Sequence, residues 1–194
     1  LSTLDTASSG RILSVKAACT TVISFDTVNV IGNSISTVIA EPENGGTFEF
    51  LHTDTTTPFS MGWKHVWFEN NTVASRGGAV VLRSISIWLM DDCQFVGNNA
   101  GASGGAIFST GDSTWEWTNV ILDRNVVSLG VGVGGAVYVD APSHQWTMDS
   151  CTFSNNYAPS DHQAILWTSF SGDLAKFLWT NLTVFGHNGS AVIT

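Results

Sequence analysis

Apolar residues return along this chain in four fixed columns. The clearest copy reads Trp88, Met90, Cys93 and Phe95, and 27 residues later comes Trp115, Trp117, Val120 and Leu122. Carried outward, the first column is Ile23, Met61, Trp88, Trp115, Trp146 and Phe177, and the second is Phe25, Trp63, Met90, Trp117, Met148 and Trp179. The third is Val28, Val66, Cys93, Val120, Cys151 and Leu182; the fourth is Val30, Phe68, Phe95, Leu122, Phe153 and Val184. The residues between them are mostly Ser, Thr, Asp, Glu, Asn or Lys. A spacing of two is the strand period, so these columns share an inward face. The step of three between the second and third columns predicts a bend. Repetition at this period predicts a solenoid whose coils stack through their apolar columns. Six copies give about six coils of about 27–31 residues each. Trp63, Trp88, Trp115, Trp117, Trp146, Trp179, Phe68, Phe95 and Phe153 are expected to build the core rather than an exposed stacking surface.

Polar punctuation follows the same beat. Asn33, Asn71, Asn98, Asn125 and Asn156 come three residues after the fourth column. Asn tolerates the left-handed conformation and bonds nearby backbone, which predicts a coil corner there. Gly77-Gly78-Ala79, Gly104-Gly105-Ala106 and Gly134-Gly135-Ala136 follow, suited to a tight corner and a close strand approach. The longest interruption runs from Glu41 to Ser60 and is expected to protrude as a loop, the usual place for a binding face in repeat folds. Shorter ones run from Val126 to Val133 and from Pro159 to His162. No linker divides the chain, so residues 1–194 read as one domain. Ser9-Gly10-Arg11 and Gly189-Ser190-Ala191 fall at the same phase of the repeat. That match predicts either end-to-end self-association or further repeats of the same chain.

Composition narrows the class. Charged residues make up 12% of the 194 residues, too few for long helices rich in Glu, Lys and Arg, and Gly and Asn turns between β-branched and aromatic runs indicate an all-β chain. The net charge of −9 disfavours nucleic acid and anionic membrane as partners. No run of 18 apolar residues is present, so membrane insertion by a helix is not expected. Three cysteines do not make a disulfide scaffold. Cys93 and Cys151 share a column two rungs, or about 9.6 Å, apart. A disulfide needs Cα atoms within about 7 Å, so both should be buried free thiols. The state of Cys19 is left open by the spacing.

Phe-x-x-Asn stands at Phe68–Asn71, Phe95–Asn98 and Phe153–Asn156, and Gly-Gly-Ala-(Ile/Val) stands at Gly77, Gly104 and Gly134. This pairing resembles the repeats of polymorphic outer membrane proteins, and the resemblance covers most of residues 9–194, weakly before residue 60. It implies a right-handed parallel β-helix similar in architecture to the pectate-lyase-like superfamily. It also implies a passenger or surface domain acting in adhesion without a catalytic site, extracellular or at the cell surface.

Candidate chemistry is sparse. Asp91 and Asp92 are the candidates for weak Ca²⁺ binding, yet a solvated corner explains them better; no other cofactor is expected. Glu69 and Asp123 share a column two rungs apart, a marginal separation for the carboxylate pair of a hydrolase. The five histidines occupy five phases and make no metal set. Asn70, Asn181 and Asn188 head glycosylation sequons. Three functions remain to be weighed. The first is a non-catalytic structural or adhesive module, including a filament or surface-fibre subunit. The second is a carbohydrate-active β-helix enzyme, a lyase or depolymerase. The third is a glycan- or protein-binding module using the Glu41–Ser60 loop.

Overall fold

The chain is seen here in a computed structural model, which describes residues 3–4, 13–17, 22–35, 46–52, 59–83, 86–130, 132–141, 144–160, 165–168 and 176–187. Among the described residues every regular element is a strand, and the strands stack into a parallel β-solenoid. The first sheet holds Leu13–Ala17, Phe48–His52, Val80–Arg83, Ile107–Thr110, Val137–Asp140 and Ile165–Thr168 in parallel order. Thr3–Leu4 adds to its edge antiparallel, on Leu13–Ala17. The second sheet has ten strands in two arms, both growing from Phe59–Glu69. One arm continues through Ser86–Asp91, Ser113–Thr118, His144–Asp149 and Lys176–Thr180; the other through Gln94–Val96, Ile121–Asp123, Thr152–Ser154 and Thr183–Phe185. Val22–Ile31 pairs with Phe59–Glu69 along both arms. The third sheet is short: Ser34–Ile35, Thr72–Val73, Asn99–Ala100 and Val126–Val127.

The strand register reproduces the sequence columns. Ile23, Met61, Trp88, Trp115, Trp146 and Phe177 are paired in succession, as are Phe25, Trp63, Met90, Trp117, Met148 and Trp179. Trp63, Trp88, Trp115, Trp117 and Trp146 are buried, with Trp179 half-buried at the end of the stack. Indole rings of successive rungs meet edge to face, Trp88 on Trp115 at 5.3 Å between centroids and Trp115 on Trp146 at 4.9 Å. Phe68 and Phe95 stack in parallel at 5.3 Å. Each large apolar side chain so buried contributes about 1.5–3 kcal/mol, and edge-to-face aromatic pairs add about 0.5–1.5 kcal/mol each.

Three expectations need correction. The six rungs exist on the second sheet, but the third sheet has only four strands, so the described residues close about four turns rather than six. The Glu41–Ser60 stretch is not a loop throughout: Phe48–His52 is an integral strand, packed between Leu13–Ala17 and Val80–Arg83. Gly46-Thr47-Phe48 there is a degenerate copy of the Gly-Ala-Val corner; residues 41–45 and 53–58 lie outside the described residues. Finally, the Asn column is not left-handed. The residue before each ladder Asn takes that role: Gly32, Asn70, Gly97, Arg124 and Asn155, with φ between 52° and 68°. The bend between the second and third columns uses Thr27, His65, Asp92, Asn119, Ser150 and Asn181, with φ between 51° and 56°. Gly77, Gly104 and Gly134 make the third corner.

The Asn residues themselves form a buried ladder. Asn71 Nδ2 donates to Asn98 Oδ1 at 2.9 Å, Asn98 to Asn125 at 3.0 Å, and Asn125 to Asn156 at 3.0 Å. The second amide hydrogen of each goes to the carbonyl of Val30, Phe68, Phe95 or Leu122, at 2.9–3.0 Å. Each Oδ1 from Asn71 to Asn156 also accepts the backbone N–H of the ladder Asn before it. An amide has both donors and an acceptor, so one side chain per rung can pass the pattern on indefinitely.

Candidate functional site

With the interior filled by side chains, chemistry is confined to the outward phases of the strands. Two outward columns of the first arm pair Ser24, Gly62, Leu89 and Glu116, and Asp26, Lys64, Asp91 and Thr118. Gly62 leaves a shallow depression between its neighbours. Asp91 and Asp92, the candidate Ca²⁺ residues, have different partners: Lys64 Nζ lies 3.4 Å from Asp91, while His65 Nε2 lies 3.7 Å from Asp92. His65 Nδ1 lies 3.2 Å from Asp26 Oδ1, and that hydrogen bond, with a second from Thr27, holds the Asp26 carboxyl below its ordinary range. One imidazole therefore reaches carboxylates on the rungs either side of it. Among the described residues no three His, Cys, Asp or Glu side chains converge as a metal site.

On the same edge, Asp149 accepts from Thr180 Oγ1 at 2.7 Å and Asn181 Nδ2 at 3.0 Å, and these bonds keep its carboxyl ionised to lower pH than usual. Asn181, a sequon head, thus has its amide engaged. Asn70, another, is exposed, and its amide lies 3.4 Å from Glu69. Asn188 lies outside the described residues. Cys93 and Cys151 are free and buried, their thiols donating to the carbonyls of Trp63 and Trp117 at 3.6 and 3.7 Å, and burial pushes both up to about 11. Cys19 lies outside the described residues.

The second arm carries the larger concavity, about 570 Å³, running across several rungs between Trp67 and Phe185. Trp67 opposes Gln94, which opposes Ile121; one residue pair along, Glu69 opposes Val96 and then Asp123. The two carboxylates expected to share a column do share this groove. Asp123 is already committed: Ser154 Oγ donates at 2.7 Å, Asn155 Nδ2 at 3.0 Å, and Arg124 Nη1 lies 2.7 Å away. Sequence reasoning missed Trp67, which is 45% exposed. The signal was present, since Trp67 lies between the inward Val66 and Phe68 and so falls on the outward phase.

Phe95-Val96-Gly97-Asn98 and Gly104-Gly105-Ala106-Ile107 stand on one coil, joined by the Asn98 rung and closed by the Gly104 corner. Residues 92–110 match the Chlamydia polymorphic membrane protein repeat. This matched stretch is one stretch of coil, and the register extends the same repeat geometry above and below it. No curated protein and no solved structure matches the chain.

Proposed function

We propose that this chain is a surface-exposed, autotransporter-like β-helix module with an adhesive or structural role and no catalytic or cofactor-dependent one. The observation that carries the reading is the repeat matched at residues 92–110, set in an uninterrupted stack of such coils. Its location is then extracellular or at the cell surface. We read the coil as right-handed, a reading supported by the rule that nearly all parallel strand crossovers take that hand, and by the same reading the fold is akin to the pectate-lyase-like superfamily. Val22–Ile31 and Lys176–Thr180 each pair on one side only among the described residues. That supports stacking with further coils, from the same chain or a second copy. Beads coated with the purified chain should adhere to epithelial monolayers above the level of albumin-coated beads. Adhesion equal to albumin on every surface tried would remove the adhesive role. Sedimentation velocity tests the stacking: concentration-dependent association supports it, and a monomer at every concentration removes it.

A carbohydrate-active enzyme is the second reading, favoured by Glu69 and Asp123 lining one groove. Its register separation of about 9.6 Å sits at the far limit for an inverting pair, about 6.5–9.5 Å. Three donors already hold the Asp123 oxygens in one orientation. Release of reducing or unsaturated ends from neutral and acidic polysaccharides, with and without Ca²⁺, would establish it.

A further inference from the structure

We infer that the groove between Trp67 and Phe185 is a binding site for a neutral linear oligosaccharide laid along the solenoid axis; this rests on the adhesive reading and names its ligand class. The two aromatic rings stand at opposite ends of the groove, Trp67 45% and Phe185 54% exposed. Trp67 and Phe185 belong to the second and sixth rungs, which sets them about 19 Å apart along the axis at about 4.8 Å per rung. An exposed indole offers a flat, electron-rich face to the polarised C–H bonds of a pyranose ring. Between the rings lie planar hydrogen-bonding groups: Gln94, the Asp123 carboxylate and Asn155. These are the groups that address vicinal hydroxyls, and two of them are held in place in advance. Asp123 is fixed by Ser154, Asn155 and Arg124, and Asn155 occupies a left-handed corner that sets its direction. Preorganisation of this kind lowers the ordering cost of binding.

Other occupants fit less well. Apart from Thr183–Phe185 at its end, the strands under the groove are paired on both sides by their neighbours, so an extended peptide lying along the groove floor finds no free backbone edge to extend. Glu69 and Asp123 against Arg124 leave the groove acidic, within a chain of net charge −9. That repels nucleic acid and uronate polymers.

The test is isothermal titration of the whole 194-residue chain with linear hexasaccharides of glucose, mannose, galactose and N-acetylglucosamine, and with hexagalacturonate as the acidic control. At least one neutral hexasaccharide should bind and shield Trp67 from acrylamide quenching. Trp67→Ala and Phe185→Ala should each weaken binding by about tenfold or more with the thermal midpoint unchanged. The inference is overturned if no neutral probe binds, if hexagalacturonate binds best, or if Trp67→Ala binds as the wild type does. Bead adhesion that persists in Trp67→Ala and Phe185→Ala would sink the glycan site while leaving the adhesive module standing. Loss of adhesion by the wild-type chain itself would instead sink the module reading.

Discussion

At the scale of single residues, polar groups inside the stack are held as firmly as the aromatic ones. Asn98 is fully buried, yet its side chain meets Asn71, Asn125 and the Phe68 carbonyl. Removing it orphans partners on two sides, and each buried unsatisfied group costs about 1–3 kcal/mol. Asn98→Ala should therefore lose about 3 kcal/mol or more in urea unfolding, and a loss under about 1 kcal/mol would mean water enters and repairs the ladder. The buried thiols behave differently. Their folded pKa of about 11 lies above the ordinary 9.0, so the fold favours the neutral thiol. The stability this gives is complete below about pH 9 and is lost as pH rises through about 11. Val66 and Val120 already occupy neighbouring rungs of that column, so Val fits there. The double variant Cys93→Val with Cys151→Val should show a smaller alkaline loss of thermal midpoint than the wild type. Equal losses would assign the alkaline transition to other groups.

At the scale of the element, three left-handed corners per coil decide where the chain turns. The Gly104-Gly105 pair shows two separate reasons for glycine. Gly104 has φ +61°, a conformation L side chains rarely adopt, whereas a Cβ on Gly105 would stand 2.0 Å from the Gly135 carbonyl oxygen on the next rung. Gly105→Ala should destabilise by about 3 kcal/mol or more, while Gly130→Ala, whose Cβ would meet nothing within 4 Å, should be near neutral. Matching thermal midpoints for the two variants would show that the coils can spread apart. The inward columns were legible in the sequence because a strand's period is two and every coil repeats it, and the bend at Asp92 was legible as a step of three. The Asn ladder was not, because a hydrogen bond between side chains 27 residues apart leaves the same local pattern as a corner Asn. Phe48–His52 was hidden for a related reason: Gly46-Thr47-Phe48 departs from Gly-Ala-Val, and the chain on both sides of it is longer than in the other coils. The outward groove was half legible. Glu69 and Asp123 were seen to share a column, but Trp67 was passed over among eight tryptophans of which most serve the core.

For the molecule as a whole, the question is how far damage in one coil travels. Each rung touches only the rung above and below, so stability sums over coils and their interfaces rather than over one shared core. Trp117 stands in the middle of that sum, packed against Trp88 at 5.8 Å, Trp115 at 5.1 Å and Trp146 at 4.6 Å. Truncating it to Ala should cost about 3–5 kcal/mol, because three rings that pack against one another cannot collapse into the space. The loss should also be uneven. Val22–Ile31 and Lys176–Thr180 are bounded on one side only among the described residues, and Phe25 and Trp179 beside them are only partly buried. Amide hydrogen exchange should therefore be slowest in Ser86–Asp91, Ser113–Thr118 and Gln94–Val96 and faster toward both outer strands. In Trp117→Ala the slow amides of Ser113–Thr118 and its two neighbours should accelerate together, while those of Phe48–His52 change less. Uniform acceleration from Leu13 to Phe185 would instead mean that the stack unfolds as one unit, and the sum over neighbouring coils would then be the wrong description of its stability.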